Sequence, residues 1–302
     1  MKAIVMHEYG GPEVLKYEDH ADPVAGAGEL LVKVAATSIN PIDYIQRTGM
    51  AKAMFPLQFP AILGRDLAGT VVRVGPGAQG FSVGDKVIAV TNGTYAELCV
   101  VKAEIAAKLP EGLDLVDAAA LPLVTTTGNQ MITLAGEVKA GQTVLVSGAV
   151  GGVGRSAVFT AKELGATVIA GVQKKQLEEA KTIGADQVIA LDDEEALSAL
   201  KPVDVVANAV RGKTAEQLLA KVKPGGIYAS VTGPPQNAKD YPSVRVVPMV
   251  SKQDGKIVRH MAEAVKAGRL AIPIDRKLPL KDAGKGQAAA EKGGIGKVLL
   301  IP

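Results

Sequence analysis

The alternation of apolar and polar positions changes rhythm near residue 118. Before that point short β-rich runs dominate: Lys2–Met6, Leu30–Ala36, Gly69–Val74, Lys86–Val90 and Ala96–Val101. Turn signals separate them, among them Gly10-Gly11-Pro12, Gly26-Ala27-Gly28 and Gly75-Pro76-Gly77. One short helical period, Pro41–Gln46, interrupts the series. The pattern predicts a mainly β, barrel-like unit. From about Asp117 strand and helix patterns alternate. Thr143–Ser147 reads as a strand and Val153–Leu164 as a helix closed by Gly165. Thr167–Val172 is a second strand, and Gln176–Ile183 a helix closed by Gly184. Gln187–Ala190, Val203–Ala207 and Gly226–Val231 are further strands. Such alternation predicts a parallel sheet covered on both faces. The tail from about Lys252 holds a helix at Gly255–Ala267, the segment Ile272–Asp275 and a helical stretch at Leu280–Glu291. It ends in a strand, Lys297–Ile301, and is expected to pack back on the first unit.

Composition narrows the function classes. The chain has 302 residues, enough for two ordinary domains, with 47% apolar and 22% charged residues, as a folded protein requires. A net charge of +3, with Lys and Arg dispersed, gives no support for a nucleic-acid partner. Aromatics make up 3% and Trp is absent, which argues against stacking platforms for bases. The single cysteine, Cys99, excludes an intramolecular disulfide and a thiolate-rich metal site, and its strand-like setting reads as a small buried hydrophobe. The N-terminus enters a strand at once, so no signal peptide is read, and no apolar run approaches a membrane span. The expectation is a cytoplasmic protein without a membrane partner.

The run Thr143 to Gly154 changes the picture most. A buried strand turns through glycines into a helix, which presents backbone N–H groups and a positive helix end to an anion. Against G-x-G-x-x-G it aligns as Ala149-Val150-Gly151-Gly152-Val153-Gly154, with Ala149 in place of the first glycine. The motif specifies a dinucleotide pyrophosphate; a tight turn without a ligand is the alternative. After the second strand comes Gln173-Lys174-Lys175, and no acid stands between Val168 and Gln176. NAD binding ordinarily places Asp or Glu there for the ribose hydroxyls, whereas two ammonium groups attract a 2′-phosphate. NADPH is therefore the expected cofactor, with two merely solvated lysines as the competing reading.

A wider set of motifs carries a family resemblance. Asn40-Pro41-Ile42-Asp43-Tyr44-Ile45-Gln46-Arg47-Thr48-Gly49, Gly64-Arg65-Asp66-Leu67-Ala68-Gly69, Ala118–Gln130, the glycine turn and Gly296-Lys297-Val298-Leu299 follow one another in order. Together they resemble the medium-chain dehydrogenase/reductase superfamily, in its zinc-free quinone oxidoreductase and enone (alkenal) reductase branch, over essentially the whole chain. The resemblance implies an α/β protein with a GroES-like β-barrel domain and a doubly wound Rossmann domain. The first is expected over residues 1–121, completed by 253–302, and the second over 122–252. It also implies an active site in a cleft between the domains and, commonly, a homodimer. Val244–Val250 is the candidate sheet edge for that dimer, with Pro248 tolerated at an edge.

The resemblance also assigns expected roles. Zinc-dependent members carry Cys and His ligands where this chain has Asn40 and Arg65, and His7, His20 and His260 have no ligand spacing, so no metal is expected. Without a Lewis acid, reduction of a quinone or an activated C=C is favoured over alcohol oxidation. Asn40 and Tyr44 are the candidate catalytic residues: Tyr44 as proton donor or pocket wall, Asn40 toward the ribose or the substrate. Arg65 joins them as a candidate pocket residue for an anionic or carbonyl group. Asp43 and Arg47, one turn apart, suit an ion pair, and Asp66 reads as structural. Thr127, Ser147, Asn208, Val231 and Thr232 are expected around the cofactor, as are Gly296 and Lys297, with a surface Lys297 as the alternative. Thr125 and Thr126 suit a cap or turn. The expected activity is NADPH-dependent reduction of quinones or α,β-unsaturated carbonyls. An enoyl-thioester reductase and a non-catalytic NADPH-binding redox sensor are the rivals.

Overall fold

Short strands with one buried face open the chain, because their apolar residues recur at every second position. The computed structural model describes residues 1–302. β1 (Lys2–Met6) pairs antiparallel with β2 (Lys16–Asp19) and, farther on, with β4 (Ala61–Ile62). β3 (Glu29–Ser38) is longest and leads into helix α1 (Pro41–Arg47). β5 (Asp66–Val74), β6 (Lys86–Val90), β7 (Leu98–Lys102) and β8 (Ala106–Lys108) follow. β3 is flanked by β5 and β7, and β5 continues to β6 and β8, all antiparallel. Leu30, Val32, Val34, Leu67, Val71 and Val87 fill the interior. Cys99 joins them, and burial pushes its thiol up to about 12. β2, β4 and β8 escaped the sequence reading because two to four residues show little periodicity.

Helix α2 (Pro122–Gln130) leads, through a π-helical turn at Met131–Ala135, to the parallel sheet. Strand β9 (Thr143–Ser147), helix α3 (Gly152–Glu163), β10 (Thr167–Val172), short α4 (Leu177–Ala180) and β11 (Gln187–Ala190) come first. α5 (Glu194–Ala199), β12 (Val203–Asn208), α6 (Lys213–Leu219), β13 (Val222–Ser230) and β14 (Arg245–Pro248) complete it. The order is β11-β10-β9-β12-β13-β14, every pair parallel. This doubly wound arrangement reverses direction between β9 and β12, where such sheets take ligands at their carboxyl ends. Gly165 adopts positive φ (79°) directly after α3, as the left-handed helix stop requires, whereas Gly184 (φ 80°) ends a turn that follows α4 and does not close the helix. The expected helix Gln176–Ile183 narrows to Leu177–Ala180: a Gln173–Gln176 capping box holds a 3₁₀ turn before it, and a turn over 181–184 follows it. β14 lies at the sheet edge, within the expected Val244–Val250.

The tail holds α7 (Gly255–Lys266), β15 (Ile274–Pro279), α8 (Ala283–Glu291) and β16 (Lys297–Ile301). β16 pairs with β3 and β15, so the C-terminus extends the first sheet. The chain thus divides into two units, 1–123 with 253–266 and 272–302, and 124–252 with 267–271. The first runs two residues past the expected 121. Residues 267–271 fall in the second because the Arg269 guanidinium pairs with Glu163 at 2.9 Å and stacks 5.3 Å from the Phe159 ring.

Within the first unit α1 is tied to α8 by one buried cation. Arg47, 2% exposed, donates to the Gly10 carbonyl at 3.2 Å and to Gln287 and Glu291, each at 2.7 Å. The Asp43–Arg47 pair expected from their spacing does not form. Helical register brings them close, but the tertiary acceptors capture the guanidinium and Asp43 faces other donors. Arg47→Met strands three acceptors, the Gln287 oxygen among them fully buried, and is expected to cost about 2–3 kcal/mol. A lowered urea midpoint with unchanged slope is the measurement that checks it.

Candidate active site

The glycine turn is built by steric exclusion. Gly148 takes φ +65°, a conformation that side chains disfavour. At Gly154 a Cβ would lie 2.2 Å from the Gly148 carbonyl oxygen and 2.6 Å from the Ala149 Cα, so only glycine lets α3 abut the turn. A Cβ on Gly151 would meet only the Gly148 oxygen, at 3.3 Å, and that side is open. Gly151 caps α3 with no side-chain hydrogen bond, which leaves the amides of Gly152, Val153 and Gly154 without a side-chain acceptor. An open turn beside a bare N-terminus of a twelve-residue helix fits the pyrophosphate of a dinucleotide. Ala149 and Val150 contribute backbone only, since their side chains are buried.

Arg155, which carried no signal in the sequence, holds the turn from behind. Its Nε donates to the Val150 carbonyl at 2.9 Å, and its Nη2 pairs with Glu179 on α4. Its partner is 24 residues away, a distance that no local pattern encodes. After β10, Gln173, Lys174 and Lys175 are exposed. The Lys174 side chain is 74% exposed and only 3.7 Å from Asp193. Two acids absent from the β10 segment thus arrive from beyond β11. Both are engaged: Asp192 accepts from the Lys174 amide at 2.7 Å, and Asp193 caps α5 through Ala196 N.

The carboxyl ends of β9, β12 and β13 are joined by a polar network. The Ser147 hydroxyl donates to Asn208 Oδ1 at 2.7 Å. Asn208 Nδ2 donates to the Val210 carbonyl and to Thr232 Oγ1, at 2.9 and 3.1 Å. Ser147 and Asn208 are fully buried, and they position the strand ends. Val231 and Thr232 remain half-buried at the rim. Thr127 donates to Ser251 at 3.0 Å.

In the first unit the expected residues gather around two buried carboxylates. Asp66 accepts from Ser38, from Asn40 Nδ2 at 2.7 Å and from the Leu123 amide at 2.6 Å. Lys297 Nζ donates to Asn40 Oδ1 at 2.6 Å and to the Ile39 carbonyl at 2.9 Å, and lies 3.8 Å from Asp66. Lys297 is buried, contrary to the surface alternative, and desolvation pulls its ammonium below the ordinary value, opposed by Asp66 and Asp43. Gly296 precedes it at φ +111°, with no room for a Cβ beside Asp275 N. Asn40 is 1% exposed with both amide atoms engaged. These bonds tie Asn40 to Ser38, Asp66 and Lys297. Asp43 Oδ2 accepts from the Asn40 amide and the Tyr95 hydroxyl, both at 2.8 Å, while Oδ1 has no partner. Burial pushes its carboxyl up to about 6.

Tyr44 is half-buried on α1 and Arg65 half-buried just before β5. Arg65 Nη2 donates to Gln46 at 3.3 Å and its guanidinium lies 5.8 Å from the Phe55 ring. Both Arg65 and Gln46 line a cavity of about 390 Å³, whose walls do not include Tyr44. A hollow of about 460 Å³ elsewhere in this unit is bordered by turns and by Lys102 and Glu104, with no convergent polar groups. No three His, Cys, Asp or Glu side chains cluster as metal ligands, and the Cys99 thiol is held protonated.

Comparison with known proteins accords with this geometry. Residues 26–111 match the alcohol dehydrogenase GroES-like domain, and residues 183–300 a domain described as zinc-binding dehydrogenase. The chain is 31% identical to a chloroplast envelope quinone oxidoreductase homolog of Arabidopsis thaliana, covering 100% of this chain and 98% of the relative. It is 30% identical to an NADPH-dependent alkenal/one oxidoreductase of the same plant, covering 100% of this chain and 80% of that one. The crystal structure of Escherichia coli quinone oxidoreductase complexed with NADPH superposes with a TM-score of 0.87 at 27% identity, over 100% of both chains.

Two outcomes follow from the geometry. Gly154→Ala forces a Cβ into the Gly148 carbonyl and is expected to cost about 1–3 kcal/mol. It is also expected to weaken dinucleotide binding, measurable by cofactor fluorescence titration. Asp43 has a folded pKa of about 6 against an ordinary 3.8, so the folded chain binds the extra proton between those values. That contribution is complete below about pH 4 and is lost as pH rises through about 6. Asp43→Asn keeps an acceptor for Asn40 and Tyr95 without the ionisation. From pH 4 to 7 the native melting temperature should therefore fall relative to that of the variant.

Proposed function

The chain belongs to the medium-chain dehydrogenase/reductase superfamily, in its quinone oxidoreductase and enone reductase branch, and on that premise we propose that it is an NADPH-dependent reductase of quinones and α,β-unsaturated carbonyl compounds. The observation that carries this reading is the open, uncapped glycine turn before α3, followed by a β10 end with two exposed lysines and no acid of its own. NADPH, when bound, supplies a hydride, two electrons that an acceptor completes with a proton from water.

The chain's own residues bind and orient. The amides of the turn meet the pyrophosphate, and Arg155 keeps the turn closed against the start of α3. Lys174 and Lys175 offer charge to the 2′-phosphate, with Asp193 3.7 Å from the Lys174 ammonium as a competing partner. Ser147, Asn208 and Thr232 fix the strand ends from which Val231 and Thr232 border the nicotinamide side. In the first unit Asn40, Asp66 and Lys297 hold α1 and β5, which carry Tyr44 and precede with Arg65 the acceptor region. Tyr44 serves as proton donor or wall.

The reaction is proposed to proceed without zinc. The acceptor is already electrophilic, so a Lewis acid is dispensable. A homodimer through the free edge of β14 and a cytoplasmic location complete the proposal; no helix is long and apolar enough to cross a membrane.

Purified protein is expected to oxidise NADPH in the presence of 1,4-benzoquinone or simple enones, with rates unchanged by chelator. No acceptor-dependent oxidation across that panel would overturn the reading. Replacing Lys174 and Lys175 together by Ala should raise KM for NADPH by roughly five- to tenfold, because two exposed ion pairs are lost. KM for NADH should stay the same.

A further inference from the structure

The ends of β10 and β11 bring opposite charges to one place. The two strands are parallel neighbours, with Val172 in register with Ala190. The Leu191 amide continues the ladder to the Val172 carbonyl at 2.7 Å. A Cβ on Gly171 would lie 2.8 Å from Leu191 Cδ1, so the two chains run close together just before they end. Beyond that point the β10 side supplies Gln173, Lys174 and Lys175, and the β11 side supplies Asp192 and Asp193. Hydrogen bonds fix the turn after β10. The Lys174 amide donates to Asp192 Oδ1 at 2.7 Å, and the Gln173 amide to Gln176 Oε1 at 3.1 Å.

Asp193 divides its carboxylate between two tasks. Oδ1 accepts from the Ala196 amide at 3.1 Å and caps α5. Oδ2 lies 3.7 Å from the Lys174 ammonium. That separation gives Coulomb attraction without a hydrogen bond. The Lys174 side chain is 74% exposed and that of Asp193 33%, so water screens the pair and it exchanges readily. A phosphate monoester carries a charge of about −1.5 to −2 and three acceptor oxygens, so it outcompetes one carboxylate for an ammonium. The exchange still costs the attraction between Lys174 and Asp193, and it leaves that carboxylate beside a new anion.

We propose that Asp193 is a coenzyme-specificity residue that acts through Lys174, holding its ammonium from the β11 side and so lowering the affinity of the chain for the 2′-phosphate of NADPH. This rests on the NADPH reading above and deepens it. Two adjoining strand ends then set the preference between NADPH and NADH. Lys174 and Lys175 on one favour the phosphate, and Asp193 on the other moderates them. NADH has a hydroxyl in place of the phosphate and does not compete for the Lys174 ammonium.

The test is direct binding of NADPH and of NADH to the full chain, followed by cofactor fluorescence at low salt. Asp193→Asn removes the charge and keeps a cap oxygen for the Ala196 amide, and Asp193→Ser does the same with a different group. Both variants should bind NADPH about two- to fivefold more tightly, the scale of an exposed ion pair, with NADH affinity unchanged. The gain should shrink as ionic strength rises. In Lys174→Met NADPH should bind more weakly, and most of the gain from Asp193→Asn should vanish in that background. An NADPH affinity unmoved by both Asp193 variants, a gain shared equally by NADH, or a gain undiminished in Lys174→Met overturns the proposal and leaves the NADPH reading standing. If the native chain binds neither dinucleotide, the cofactor reading itself fails.

Discussion

Burial of the Lys297 ammonium within ion-pair distance of the Asp66 carboxylate is the constraint that organises the first unit. Two charges in a dry interior are tolerated only when each is paired and hydrogen-bonded. Here Asn40 bridges them, its amide nitrogen donating to Asp66 and its amide oxygen accepting from Lys297. The three residues come from the start of α1, the start of β5 and the start of β16, elements far apart in the chain. Satisfying one set of polar atoms therefore fixes how the C-terminal strand, α1 and the corner bearing Arg65 meet. Asp43 marks the limit of that economy. Its Oδ1 has no partner, and its carboxyl is pushed up by burial.

The second unit solves a different problem, a backbone that must come close to a ligand and to itself. Gly154 is needed because α3 begins against the Gly148 carbonyl, and the uncapped helix start leaves donors for an anion. Around it, Ser147, Asn208 and Thr232 pin strand ends that would otherwise fray. Arg155 ties the turn to α4 and so joins the pyrophosphate side to the element that follows Lys174 and Lys175. These side chains hold geometry; the ligand-facing groups are largely backbone.

Much of this was legible in the residues. Alternation marked β9, β10 and β12 to within a residue, since a fully covered parallel strand reads as an unbroken apolar run. Gly165 announced a helix end because few other residues accept positive φ. The glycine turn announced a close approach of α3 to β9, because only glycine fits where a Cβ would meet the Gly148 carbonyl. Less legible were residues whose partners lie far along the chain. Asp43 and Arg47 are spaced as a pair, yet each has stronger tertiary partners. Lys297 looks like a surface lysine until β16 enters the sheet beside β3. Asn40 occupies a catalytic-looking position, yet its amide is taken up by two neighbours.

By itself, the sequence determined the two-unit plan, the covered parallel sheet and an open glycine turn before a helix, because each depends on local rules: the period of a strand, the φ of a glycine, the free amides of a helix start. Only the tertiary structure decided which polar side chains are engaged and which are available. That choice depends on competition among acceptors that meet only after folding. It gave Asp66 to Asn40 and Lys297 its buried place, and it left Arg65 on the wall of a small cavity without a counter-charge.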